Sequence, residues 1–542
     1  MSTLRTNTLQ TLDSLFTINL TDIQPSAGVT TFINNLLDNT DLTKGAALVG
    51  RAYRHINNLA ELATVTGRYD NDLVVLERHT AGYNYGGGPW YWDAASVETE
   101  NNVTIKKATA TTTGRWKRLT SSLSLSMFGA KAQVGFDNTA ALAAAETFLR
   151  GELAAFRPVP SLEVEAGTYQ YATCPNWGIQ GATIVNLGKV KFRCTGTGSA
   201  MILDAGVGVG INLTGMTFGR GTGFIFECGP TATATTVQIR NIYLSEIRAR
   251  VWGGGTAQAG FTIQGCVLSN FYIGTTSTES AKEAAGDYVN GWYNGGTVNP
   301  GKPQFGMVVT ESAVGAQTSY CNFYDWIGAA CQYGMYIDST LGNLFLGGDN
   351  EFNTITGSFW TANALLNRVR GMNHEVNTTS DVECAGNYNS FDCDSVLFRI
   401  VGGSGNRLVG GTHDQVSILG GTGAYVGEIV YGRGLSGNLV IVDNGTKSAF
   451  GWSYQAQSQT WSRGPSVTGS IAVGVSPFTY VNTTARPIRV FLTGGASVSV
   501  AYRRNAVTFG TLGTGVSIEL SPGDDIVITY VTTPPTANFI TA

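Results

Sequence analysis

Three stretches of this chain, "NLFLGGDNE" from Asn343, "NRVRGMNHE" from Asn367 and "NRLVGGTHD" from Asn406, share one template: Asn, an apolar residue two on, Gly four on and an acid eight on. The Asn-x-apolar part of it recurs as "NFY" at Asn322, "NSF" at Asn389 and "NLV" at Asn438, so that the copies from Asn322 onward step by 21, 24, 22, 17 and 32 residues. A period of roughly 20 to 30 residues, with short β-like runs broken by Gly and Asn, specifies a solenoid whose coils stack on one another. A parallel β-helix fits best. In that geometry Phe345, Val369, Phe391 and Leu408 point into the stacked core. The Asn sits in the turn before, where it tolerates left-handed backbone and can hydrogen-bond to the Asn of the next coil. Upstream, Asn212, Asn241 and Asn270 step by 29 and 29 residues, which starts the solenoid well before residue 300. The stretch "SAKEAAGDYVNGWYNGGTVNPGKPQ" from Ser280 breaks the rhythm and reads as a long excursion from one coil.

At 542 residues the chain exceeds what one hydrophobic core supports, about 250 to 300 residues. Seventy glycines and only 13% charged residues fit an all-β protein rich in turns. A net charge of -4 offers no basic face for a phosphate backbone, so nucleic acid is not an expected partner. No run approaches about 18 apolar residues, and the start "MSTLRTNTLQTLDSLFTINLTD" has neither basic n-region nor apolar h-region. Synthesis in the cytoplasm without a signal peptide, and no membrane contact, are the expectations. Eight scattered cysteines without CxxC pairs or zinc-ligand spacing read as buried thiols, and nothing calls for a metal or cofactor.

A first coil must be covered if chains are not to stack end to end. Residues 137–156, with Asp137 or Asn138 as N-cap and Leu142, Leu149, Leu153 and Phe156 on one face, predict a capping helix. Beyond about residue 466 the alternating segments "PIRVFLTGG", "SVSVAYRRN" and "VSIELSPGDDIVITYV" predict a small β-sandwich. The stretch 446–465 lacks either rhythm and reads as a linker.

Two further stretches carry a family resemblance. "GYNYGGGPWYWDAASVETENNVTIKKATATTTGRWKRL", Gly82 to Leu119, resembles the domain that precedes the β-helix in many bacteriophage tailspikes, down to the Gly-Arg-Trp-x-Arg element at Gly114, Arg115, Trp116 and Arg118. "FGAKAQVGFDNTAALAAAETFL" from Phe128, followed by "LEVEAGTYQY" from Leu162, is similar to the entry of their pectate-lyase-like β-helix. The match departs at Ala132, Gln133 and Glu165, where the family commonly has a Gly-Asp-Gly and a Pro. The resemblance implies a right-handed parallel β-helix, a homotrimer on the virion tail joined to tail or baseplate protein through its N-terminal region, and a bacterial surface polysaccharide as partner. The domain division is then a virion-proximal segment 1–43, an attachment domain 44–121, the β-helix 122–445, the linker, and the sandwich 466–542, for trimerisation or glycan binding.

The repeated acids are the candidate chemistry. Strands on successive coils lie about 4.8 Å apart and side chains at equal offsets form columns, which makes Glu351 and Glu375 neighbours, with Asp414 further on. The Asn389 coil departs, with Leu397 at offset eight; in its "FDCDS" run Phe391 and Cys393 face in, so Asp392 and Asp394 face out. Glycosidic cleavage needs two carboxyl groups, one as acid and one as base or nucleophile. The plainer reading is that a repeated acid in a solenoid turn caps backbone N–H groups. His374 and His413, directly before two of the acids, and Arg370 are candidate substrate-binding residues. Tyr288, Trp292, Tyr293, Trp326 and Trp360 can stack on sugar faces, although the last two serve equally as coil packing.

Three functions compete: a tailspike hydrolase cutting surface polysaccharide (capsule, exopolysaccharide or O-antigen) with paired carboxylates, a polysaccharide lyase on the same fold, and a non-catalytic glycan-binding adhesin. A lyase needs a base and a cation. Residues 303–446 contain no lysine, so His374, His413, Tyr336 or the nearby Arg368 and Arg370 would have to serve.

Overall fold

The computed structural model describes residues 8–10, 17–19, 54–206, 215–221, 223–228, 232–252, 258–276, 304–329, 331–375, 377–427, 429–431, 440–444, 448–450, 452–455, 460–463, 468–483 and 487–541. The chain divides into two compact units, Met1–Lys131 and Ala132–Ala542.

In the first unit a five-stranded sheet runs in the order Arg54–Ile56, Leu73–Arg78, Gly86–Asp93, Arg115–Arg118 and Ile105–Lys107. Its core is aromatic: Trp92 and Trp116 meet edge-on at 5.2 Å, and the Arg118 guanidinium lies 4.5 Å from the Trp90 ring. Burial pushes that guanidinium down to about 10. The Gly-Arg-Trp-x-Arg element follows from this packing. Gly114 has φ +88°, and a Cβ there would stand 2.1 Å from Trp92, so no other residue fits.

The second unit opens with one helix, Thr139–Ala154. Ala141, Leu142, Ala145 and Leu149 are its buried face, and Trp177 Nε1 donates to Leu142 O at 3.4 Å. Asp137 caps by accepting from Thr139 N at 2.9 Å. Phe156, expected on the apolar face, is instead 99% exposed, because the helix has ended and its own φ is 54°.

Parallel pairing then runs coil to coil from Ser161–Tyr171 to Trp452–Gln455, building a right-handed parallel β-helix. The strands that matter for function are β1 (Asn270–Thr276), β2 (Asn322–Ala329), β3 (Leu344–Glu351), β4 (Arg368–Glu375), β5 (Ser390–Ile400), β6 (Arg407–Val409) and β7 (Thr412–Ile418). Inward, Phe271, Phe323, Phe345, Val369, Phe391 and Leu408 form one column in register. Its rings stack at 5.0 Å (Phe271–Phe323) and 4.6 Å (Phe323–Phe345). Each such ring pair adds about 0.5 to 1.5 kcal/mol beyond its burial.

At the corner before these strands lies a ladder of buried asparagines. The backbone N–H groups of Asn343, Asn367 and Asn389 donate to Oδ1 of Asn367, Asn389 and Asn406 at 3.1, 3.0 and 3.1 Å, and their Nδ2 groups donate to the same oxygens. Cys321 N begins the series by donating to Asn343 Oδ1. A second ladder, Asn353 to Asn377, holds another corner. The left-handed residue is the one before each ladder position: Tyr320, Gly342, Leu366, Tyr388 and Gly405. Asn270 and Asn322, counted as template copies, pair with each other and with Leu344, one position past the ladder. Asn241 is itself left-handed at φ 54°, whereas Asn212 and Asn438 fall outside the described residues.

The stretch expected to be a linker instead carries strands. Trp452–Gln455 pairs with the solenoid and then antiparallel with Thr460–Arg463. Two four-stranded antiparallel sheets follow, sharing a core of residues such as Ile488, Val490, Val500, Leu520 and Ile526, which is the sandwich. All eight cysteines are free thiols, seven of them buried.

Asn367→Ala removes the acceptor for both donors of Asn343, and unfolding should cost about 2 to 4 kcal/mol less, since each orphaned buried group costs roughly 1 to 3 kcal/mol. Asn322→Ala, which loses one half-exposed bond to Asn270, should cost less than about 1 kcal/mol. Denaturant midpoints of the two variants check the difference.

Candidate functional site

Outward side chains of this sheet form columns as regular as the inward ones. The first runs Asn270, Asn322, Leu344, Arg368, Ser390, Arg407. The second, two residues on, runs Tyr324, Leu346, Arg370, Asp392. Beside the first lie the left-handed residues, with Tyr320 56% and Tyr388 57% exposed. Together they bound a groove of about 890 Å³ lined by Tyr320, Tyr388, Arg368, Arg370, Arg407, Asp392, Leu344, Leu366 and Val409 among others.

Further along the same strands the charge changes sign. Asp349, Asn373 and Asp394 are in register, and Asn373 Nδ2 donates to Asp349 Oδ1 at 2.9 Å. Asp394 Oδ1 accepts from Thr412 N at 2.7 Å. Last come Glu351 and Glu375, opposite each other at the ends of β3 and β4. The residue level with Glu375 and Asp414 on the intervening coil is Val396, next to Ser395, which pairs with both His374 and His413. Counting by template had put Leu397 there. Gly371 in β4 is a bulge that shifts the register by one, and β5 lacks it. Asp392 is exposed and lines the groove, Asp394 and Asp414 are half-buried, and Asp392 Oδ1 would stand 2.5 Å from a Cβ at Gly410, whose φ is +91°.

Two of the predicted binding groups face the wrong way. His374 (1% exposed) and His413 (0%) belong to an inward polar column with Asn350 and Ser395, and cannot meet a substrate. His413 Nδ1 lies 2.7 Å from Ser395 Oγ and Nε2 lies 3.2 Å from Gly410 O. Nε2–H therefore donates to the carbonyl while Nδ1 accepts from the hydroxyl. Alternation explains the inversion: an acid at the outward offset forces its neighbour inward. Trp326 and Trp360 are likewise core residues, 1% and 0% exposed. Trp360 packs edge-on against Phe345 and Phe391, each at 5.2 Å. Tyr288, Trp292 and Tyr293 lie outside the described residues. The plainer reading of a solenoid acid has its example in Asp381, which accepts from Val396 N and Leu397 N at 2.5 and 2.9 Å.

The first unit now has a relative. Residues 55–121 match the phage tail protein small four-stranded beta-sheet domain. No curated protein matches the sequence. Among solved structures, the tailspike protein of Acinetobacter phage vB_ApiP_P1 is similar at 13% identity and TM-score 0.44, covering 90% of this chain and 98% of that one. The enzymatically active domain of tailspike protein 4 from bacteriophage CBA120 is similar at 10% identity and TM-score 0.44, covering 93% and 79%. A tailspike of the Acinetobacter baumannii bacteriophage Fri1, described as a capsular polysaccharide depolymerase, is similar at 10% identity and TM-score 0.29, covering 90% and 97%. Among the described residues no helix is long and apolar enough to cross a membrane, and no group of His, Cys, Asp or Glu could hold a metal ion.

Tyr320, Tyr388 and Arg407 were missed in the sequence. The signal for Arg407 was there, since "NR" opens both the Asn367 and the Asn406 copies. The tyrosines precede a ladder position, and only the register shows which positions those are.

Burial holds His374 at about 3 and His413 at about 4. Both values are depressed below an unfolded value near 6.5, so the folded state stays neutral while the unfolded chain takes up protons. Stability is fully present above about pH 6.5 and falls as pH drops towards about 4 for His413 and about 3 for His374, by up to about 1.4 kcal/mol per unit for each histidine. Asp381, raised by burial, acts in the opposite sense. His374→Leu should flatten the acid limb of the stability profile by about half, as read from denaturant midpoints across that window.

Proposed function

We propose that the protein is a phage tailspike that hydrolyses a bacterial surface polysaccharide with paired carboxylates in the outward groove. The observation that carries this is Asp392: an exposed carboxylate in the wall of a polar groove, beside Arg370 in the preceding coil, with Asp394 two residues along the same strand. The phage tail domain at residues 55–121 supports a place on the virion tail, with attachment through the N-terminal unit. Hydrolysis is favoured over elimination because two of the bases a lyase would draw on, His374 and His413, lie in the core.

Residues two apart on a strand are roughly 6.5 to 7 Å apart at Cα. Side chains that leave one face of the strand in the same direction carry roughly that spacing to their carboxyl groups, and about 6.5 to 9.5 Å between carboxyl groups leaves room for a water and inverts the anomeric centre. Glu351 and Glu375, side by side on adjacent strands at about 4.8 Å, sit closer to the retaining spacing of about 5 to 5.5 Å. Asp392 lines the groove and Asp394 follows it on the same strand, which favours the aspartate pair. Asp392→Asn and Asp394→Asn should each lower cleavage by about 10² to 10⁴ while binding persists, with stability changed by less than about 1 to 2 kcal/mol. Glu351→Gln, Glu375→Gln and Asp414→Asn should act more weakly. Reducing-end assays on capsule or O-antigen read the rates, and proton spectra of the fresh product should show inversion. Wild-type cutting by all five variants would mean that the acids are scaffold.

The assembly in this reading is a homotrimer. Light scattering at micromolar concentration should give three times the chain mass, and a monomer mass would exclude it.

A further inference from the structure

We infer that the groove takes an acidic glycan, one whose repeat carries a carboxylate, held by three arginines between two tyrosine platforms. This deepens the reading of the protein as glycan-directed and rests on it. Arg368 and Arg407 stand in one outward column with Ser390 between them, and Arg370 stands two residues from Arg368 in the next column. With strands about 4.8 Å apart and outward neighbours about 6.6 Å apart, all three arginines stand on backbone positions within about 12 Å of one another. Asp392 is the one carboxylate in the lining. Among the described residues none of the three arginines forms an ion pair, and the contact given for Arg407 is with the Tyr425 ring at 5.1 Å. Three exposed, mutually repelling cations in a chain of net charge -4 are what an anion neutralises. The planar guanidinium fork matches a carboxylate with two parallel hydrogen bonds.

The tyrosines give the second, independent observation. Tyr320 and Tyr388 occupy the left-handed corner position before a ladder residue, both at φ 54°, and stand 56% and 57% exposed in the lining of the groove. Their rings lie over the glycines of the following coils: a Cβ on Gly342 would stand 2.9 Å from Tyr320, and one on Gly405 would stand 2.5 Å from Tyr388. Three coil steps, about 14 Å, separate the two tyrosines. That is the span of an oligosaccharide rather than a single sugar, and each exposed ring presents a face on which a pyranose can stack. An acidic sugar on Arg368 and Arg370 would leave the adjoining linkage next to Asp392.

The test is binding of the full-length protein to an array of purified bacterial capsular and O-antigen polysaccharides, neutral and acidic, at low and high salt. The bound polysaccharides should be acidic and should weaken as salt rises. Reducing their carboxylates to alcohols should lower affinity at least about tenfold, the scale of one charge-assisted pair. The exposed double change Arg368→Gln with Arg370→Gln, and separately Tyr388→Ala, should lose about as much with the melting temperature of the solenoid unchanged. Preference for neutral polysaccharides, equal affinity for the carboxyl-reduced form, binding unaffected by the arginine changes, or no binding to any acidic member would overturn the inference. Arginine-dependent binding of an acidic polysaccharide that is not cut keeps it and removes the hydrolase reading. Cutting of a neutral one does the reverse.

Discussion

The buried asparagine ladder is the constraint on which the rest of the solenoid depends. At the corner between two sheets the backbone leaves its strand ladder, and its N–H groups there are buried with no strand to pair with. The Asn side chain solves this along the helix axis. Its oxygen accepts the backbone N–H and the amide of the preceding coil, and its own amide passes the arrangement on. Because each acceptor belongs to the next coil, the ladder aligns the coils in a fixed register. A one-residue slip would orphan several buried donors at about 1 to 3 kcal/mol each and turn a whole strand's side chains to the opposite face.

Fixed register turns a linear sequence into columns, and the columns carry both stability and chemistry. Inward, aromatic rings stack on rings. Outward, the strands divide along their length, with arginines near their starts and carboxylates towards their ends. Asp392 stands where the two halves meet. In the function proposed above, cations and aromatic rings hold the polymer on one side of the groove and carboxylates address its linkage on the other.

The departures from regularity are as informative as the rule. The bulge at Gly371 shifts β4 against β5 and brings Val396, not Leu397, level with the outer acids. Tyrosine in left-handed backbone is costly, and the coils bear it by placing glycine under each ring. The inward histidines are a further cost, since their neutral state is held by burial and is opposed by acid.

The sequence by itself determined the architecture: the Asn template, the Ala-rich helix before the first strand and the alternating C-terminal segments yield a capped parallel β-helix with a sandwich. These features are local, and a period or a cap can be read from a dozen residues. It also determined that Asp392 and Asp394 face outward, because alternation within one strand is a local property. Tertiary structure alone decided what stands beside them. Whether Arg370 neighbours Asp392, whether Tyr320 and Tyr388 border one groove, and whether Trp326, Trp360, His374 and His413 meet solvent or core all depend on bulges and on the register between coils. A single inserted glycine resets every alignment after it, and hydrogen bonds between residues some twenty positions apart fix the outcome.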